Sequence, residues 1–139
     1  MSEDPAPRIL DAGDSCLVVE FGTTVDRALN AKVQSLKASL ARSPQKGLVE
    51  LVPTYRSLAV YYDPRVLQRE DLKTRIEHLS ENLDASGSEA GRVVPIPVCY
   101  GGEFGPDLEN VCAHTGLSKE EVINRHTGCD TYCFMLGFT

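Results

Sequence analysis

LVELVPTYRSLAVYY, residues 48–62, is the stretch whose reading decides the fold. Two runs rich in Val, Leu and Tyr (48–52 and 57–62) flank Pro53-Thr54-Tyr55-Arg56. β-formers on either side of a short turn predict a hairpin. In the second run Leu58, Val60 and Tyr62 share one face and Ala59 and Tyr61 the other, because strand side chains alternate. Upstream, Ser43-Pro44-Gln45-Lys46-Gly47 is a breaker. Ahead of it Val25, Leu29, Val33, Leu36 and Leu40 recur at helical steps, with Arg27, Lys32 and Lys37 off that stripe. Thr23 followed by Asp26 reads as a variant capping box that opens this helix. Earlier still, DSCLVVEFG (14–22) predicts a mostly buried strand. Downstream, Asp63-Pro64 ends the hairpin, and Leu72, Ile76, Leu79 and Leu83 mark a helix from about Gln68 to Leu83.

DASGSEAG (84–91) has linker composition. RVVPIPV (92–98) is expected to be extended, since two prolines exclude a helix and favour an edge strand. The order strand, helix, strand, strand, helix, strand gives an α+β class. It predicts a ferredoxin-like (βαββαβ) domain over residues 8–83, with both helices on one face of an antiparallel sheet. RVVPIPV either closes that sheet or opens the next domain. Residues 92–139 read differently. A Gly-rich loop leads into two short helices about Gly116, with Leu108, Val111 and Cys112 inward in the first. Ser118 and Glu121 form a capping box for the second, which buries Val122 and Ile123. CDTYCFMLGF (129–138) has strand character. Forty-odd residues of this kind hold little core of their own.

Fourteen Lys and Arg against twenty Asp and Glu give a net charge of −6, which argues against nucleic-acid binding through phosphate neutralisation. No apolar run reaches the roughly 20 residues of a membrane span, and the acidic start MSEDPAPRILD does not resemble a signal peptide, so a cytoplasmic protein with no membrane partner is expected. Five cysteines (Cys16, Cys99, Cys112, Cys129, Cys133) are an odd count without secretory context, so reduced thiols are expected.

Tyr100-Gly101-Gly102-Glu103-Phe104-Gly105-Pro106-Asp107 is the most distinctive local feature. Its glycines allow left-handed backbone and close approach of a ligand or a partner protein, and it runs into a helix start. It lacks the Lys-Ser/Thr of a Walker loop and is not GxGxxG, and Glu103 and Asp107 repel phosphate. The plainer reading is a tight turn with Asp107 as the N-cap. Cys112, His114, His126, Cys129 and Cys133 have no metal-ligand spacing. In a strand Cys129 and Cys133 lie about 13 Å apart, too far to chelate one ion, so no metal site is expected. His126 is a weak acid/base candidate, and no third residue that would orient a Cys–His pair is identifiable. The two short helices imitate a helix-turn-helix, but adjacent Glu120 and Glu121 oppose DNA.

Three stretches carry a resemblance: LVELVPTYRSLAVYYDP, VVPIPVCYGGEFGPDLENV and LSKEEVINRHT…YCFMLGFT. They resemble the family of 5-oxoprolinase B subunits, also called allophanate hydrolase subunit 1 or the KipI (Kip inhibitor) family, over essentially Arg8 to Thr139. The resemblance implies a small N-terminal α/β domain followed by a cyclophilin-like β-barrel domain. It implies partners too: a cyclophilin-like C component (KipA-like) and a LamB/YcsF-like A component. Together the three open 5-oxo-L-proline to glutamate with ATP. ATP then belongs to the complex, with no cofactor expected on this chain alone. KipI-type members instead inhibit histidine-kinase autophosphorylation by binding the kinase dimerisation domain. Family members continue beyond Gly-Phe-Thr, so the resemblance implies an incomplete barrel over 92–139, with apolar faces bare at Phe134, Leu136 and Phe138.

Overall fold

The computed structural model describes residues 6–81, 83 and 92–137. The linker expected at 84–91, and Phe138, lie outside the described residues. The structure divides into two compact units: residues up to Gly91 together with Phe134 onward, and Arg92–Cys133. Residues 134–137 therefore group with the first unit, whereas the sequence pattern places them with 92–133.

The first unit is α+β. Its elements are β1 (Arg8–Asp11), β2 (Cys16–Glu20), α1 (Arg27–Arg42), β3 (Leu48–Pro53), β4 (Ser57–Tyr62) and α2 (Arg69–Ser80). The strands form one antiparallel sheet in the order β1-β2-β4-β3. β2 and β3 are joined through α1 with β4 inserted between them, so the hairpin expected at 48–62 forms and its second strand sits centrally.

The edge beside β2 differs from the expectation. β1 occupies it, with Ile9 opposite Val19 and Asp11 opposite Leu17. Residues 92–98, offered as a closing strand, carry no strand. The N-terminal hairpin thus supplies the fourth strand. RILD is too short for alternation to reveal it, and Pro95 and Pro97 remove two donors that a ladder would use. CDTYCFMLGF is likewise without strand across its described part. Extended backbone becomes a strand only where a neighbour takes its hydrogen bonds.

One sheet face and the helices enclose the core. Leu17, Val19, Leu58 and Val60 are fully buried there with Val33, Leu36 and Leu40 of α1 and Leu72 and Ile76 of α2. Each large side chain removed from water in this way contributes about 1.5–3 kcal/mol before entropy is charged. The stripe read from sequence holds from Leu29 onward, but Val25 is 62% exposed. Val25 precedes the helix because Asp26 is the cap: its carboxylate accepts from the backbone N–H groups of Ala28 (2.7 Å) and Leu29 (3.1 Å). The capping role given to Thr23 therefore passes to Asp26. α2 ends at Ser80, while Leu79 and Leu83 still pack on the core.

Among the described residues, no helix is long and apolar enough to cross a membrane.

Candidate functional site

The second unit is built from the loop at 100–107 and two helices, α3 (Leu108–Thr115) and α4 (Lys119–Thr127). Gly101 and Gly102 have φ of +81° and +59°, in the left-handed region where a side chain is strained. They turn the chain into one 3₁₀ turn over Gly102–Phe104, closed by Gly105 N–H to Gly102 O at 3.4 Å. Gly105 is required for a different reason: a Cβ there would stand 2.4 Å from the backbone nitrogen of Gly101. The loop is thus folded tightly upon itself and presents Glu103 and Phe104 outward, Phe104 73% exposed.

Asp107 stands at the N-cap position of α3, but its side chain makes no capping bond. Its backbone is helical rather than extended, which turns the carboxylate away from the first-turn N–H groups. The capping box foreseen at the start of α4 is present. Ser118 N–H donates to Glu121 Oε2 at 2.8 Å, and Glu121 N–H to Ser118 Oγ at 3.2 Å. The Ser118 N–H, together with the Ser118 hydroxyl that donates to the same Oε2 at 2.7 Å, holds the Glu121 carboxyl below its ordinary range. An ion pair between Lys119 and Glu109 ties α4 to α3. No residue of either helix is fully buried: Val122 and Ile123 are half-buried where burial was expected, and Val111, expected to face inward, is 41% exposed. Two helices of eight and nine residues have too little facing surface to enclose a core.

α4 carries His126 in its last turn, and there the two separate sequence candidates meet. The Tyr100 hydroxyl is hydrogen-bonded to His126 Nδ1. The two rings meet edge to face, 5.7 Å between centroids at 82°. Tyr100 is half-buried and His126 exposed. Among the described residues Glu103, Phe104 and Asp107 make no hydrogen bond to this pair, so the loop contributes Tyr100 to it and shapes its approach. A phenol and an imidazole in contact can pass or hold a proton and present a ring nitrogen to a ligand. Nothing in the sequence joins them, since 26 residues separate the two and no periodicity spans loop and helix.

No group of three His, Cys, Asp or Glu side chains placed to hold a metal ion occurs among the described residues. Cys129 Sγ lies 3.8 Å from the Arg125 carbonyl oxygen at the end of α4. A triphosphate does not fit the loop either: no Lys or Arg stands between Arg92 and Lys119, and the loop contributes two carboxylates. In the first unit Glu20 is flanked by Arg8 and Arg56, each at 3.5 Å, and Arg56 Nη1 donates to Gly22 O at 2.6 Å. These bonds stitch the β3–β4 turn to the end of β2.

Residues 7–139 match the family model described as carboxyltransferase domain, subdomain C and D. This chain belongs to that family. The chain is 35% identical to the B subunit of 5-oxoprolinase from Bacillus subtilis (strain 168), over 94% of its own length and 59% of that protein. It thus spans less than two thirds of this relative's length, and the family is the one that the three sequence stretches resemble. Among solved structures, a conserved uncharacterized protein from Pyrococcus horikoshii is 38% identical with a TM-score of 0.52, covering 88% of this chain and 56% of that one. The N-terminal domain of the histidine kinase inhibitor KipI from Bacillus subtilis aligns over 66% of this chain and all of its own, with a TM-score of 0.52. At 24% identity it shares the fold alone.

Proposed function

We propose that this chain is the B component, or its N-terminal part, of a 5-oxoprolinase complex that opens 5-oxo-L-proline to L-glutamate at the expense of ATP. The observation that carries the reading is the 35% identity, over 94% of the chain, to a relative named as the 5-oxoprolinase B subunit. That span includes both the 100–107 loop and His126. The role is non-autonomous. A LamB/YcsF-like A component and a KipA-like C component are its partners, and ATP is held outside the 100–107 loop, whose charges disfavour it. The loop faces the ligand or a neighbouring component, with Tyr100 and His126 at its base. In fold terms the first unit is a ferredoxin-like domain, over about residues 8–83, in which the N-terminal strand takes the sheet edge. Residues 92 onward are the start of a cyclophilin-like domain.

A chimaera tests this. Residues 8–137 of this chain replace the matching part of the Bacillus subtilis B subunit, and glutamate release is measured with the A and C components. Turnover that requires all three components and ATP supports the reading. A folded chimaera that assembles but leaves 5-oxo-L-proline untouched refutes it, and capture of a histidine-kinase dimerisation domain by that same chimaera would point to the KipI-type role instead.

A further inference from the structure

We propose that Tyr100 fixes His126 as the Nε2–H tautomer, so that the exposed edge of the imidazole is a hydrogen-bond donor for a carbonyl or carboxylate oxygen of the ligand. In a neutral histidine one ring nitrogen carries the proton and the other accepts, and the bond made at one nitrogen decides the state of the other. Here Nδ1 is the engaged nitrogen and its partner is a phenol. A phenol keeps its proton at neutral pH and is a strong donor, whereas the imidazole lone pair is a better acceptor than the phenolic oxygen. The O–H therefore points at Nδ1, and the ring proton resides on Nε2.

The edge-to-face packing at 5.7 Å limits rotation of the imidazole. The tightly folded glycine loop, with Gly105 against Gly101, fixes where Tyr100 stands. His126 is exposed, so Nε2 is the nitrogen available to an incoming group. A fixed N–H donor selects ligands by an oxygen acceptor, and a lactam carbonyl or a carboxylate both qualify. Tyr100 is thereby a positioning residue, acting through His126. The assignment of ligand class rests on the reading of this loop as ligand-facing; the tautomer does not.

The test is two-bond ¹⁵N–¹H correlation on the 139-residue chain at a pH where the histidines are neutral, with His126 assigned by His126→Ala. The Nε2–H pattern is expected for His126. Tyr100→Phe, which keeps the ring and removes the hydroxyl, should raise the Nδ1–H fraction while leaving the rest of the spectrum in place. The Nδ1–H tautomer in the unsubstituted chain overturns the proposal.

Acetate and 2-pyrrolidinone are then titrated separately. Shifts at His126 with either one support an oxygen acceptor, and the stronger of the two distinguishes a carboxylate from a lactam carbonyl. Tyr100→Phe should weaken that binding about fivefold to tenfold, the worth of one oriented hydrogen bond. No response of His126 to either probe overturns the ligand class. An inactive chimaera with the Nε2–H tautomer and probe binding intact counts against the 5-oxoprolinase reading alone. An active chimaera with the opposite tautomer counts against this proposal alone.

Discussion

Asn30 Nδ2 donates to the backbone carbonyl oxygen of Phe134 at 3.1 Å, joining the first turns of α1 to a segment 104 residues away. The same amide reaches the carbonyl oxygens of Thr54 (3.2 Å) and Tyr55 (3.3 Å) in the β3–β4 turn. Asn30 is 2% exposed and is the buried polar residue among the described residues. Its side-chain amide thus links the start of α1, the β3–β4 turn and the backbone at Phe134.

Replacing Asn30 by Ala should cost about 1–3 kcal/mol, because a buried side chain that donates to three carbonyl oxygens is removed and a cavity is left in its place. Asn30→Asp should do no better, since a carboxylate offers acceptors where donors are needed. Urea unfolding reads the cost. Amide exchange at Met135 and Leu136 should rise in both variants; unchanged exchange would show that the segment is held by something else.

Cys16 is 4% exposed while Cys99, Cys129 and Cys133 are exposed. Burial pushes the Cys16 thiol up, a rise partly offset by hydrogen bonding with the Val60 backbone and the Tyr61 side chain. At pH 8 iodoacetamide should modify the exposed thiols of the native chain and spare Cys16 until urea is added. A thiol raised in the folded state favours folding below the unfolded thiol's pKa of about 8.5, and that contribution is lost as the pH climbs past it. Native labelling of Cys16 at the rate of Cys99 would mean that the outer sheet face opens.

Much of the first unit was legible because its signals are periodic and local. The 48–62 hairpin, the stripe from Leu29 to Leu40 and that of Leu72 and Ile76 each repeat often enough to declare themselves. β1 was not legible: four residues with a single inward apolar side chain, Ile9, leave no pattern. The cap is easily misread because Thr23 and Asp26 are both good N-caps, and only backbone geometry separates them. In the second unit the Ser118–Glu121 box was readable for the reason the first helices were, as it is a contact at fixed short spacing. Asn30 with Phe134 and Tyr100 with His126 are contacts made by tertiary structure, and no spacing rule reaches them.

Asp11 and Arg69 connect β1 to α2 through two parallel bonds, Nε to Oδ1 at 2.6 Å and Nη2 to Oδ2 at 2.9 Å. The bond to Arg69 holds the Asp11 carboxyl below the usual range of about 4. A carboxyl depressed in the folded state adds stability above its unfolded pKa, and that increment disappears as the pH falls below about 4. Asp11→Asn should therefore lower the urea midpoint at pH 7 and lower it by less at pH 3. Both side chains are substantially solvated, so salt should shrink the pH 7 difference. A difference at pH 3 as large as that at pH 7 would show that the carboxylate charge is irrelevant to anchoring β1.

Gly102 and Gly105 make opposite demands on the loop at 100–107, and two alanine substitutions separate them. Gly102 has a left-handed φ of +59° but open space around it, so Gly102→Ala meets only the backbone penalty of about 1 kcal/mol. Gly105 has no left-handed φ, yet its Cβ would meet the Gly101 nitrogen at 2.4 Å, and main chain cannot swing aside as a side chain does. Gly105→Ala should therefore force the turn open and move Tyr100, at a cost of about 1–3 kcal/mol for an overpacked site. The His126 ring resonances report the difference directly: nearly unchanged in Gly102→Ala, shifted toward those of Tyr100→Phe in Gly105→Ala. Should Gly105→Ala leave His126 untouched while Gly102→Ala displaces it, the backbone conformation at Gly102, and not close packing at Gly105, would be what holds Tyr100 against His126.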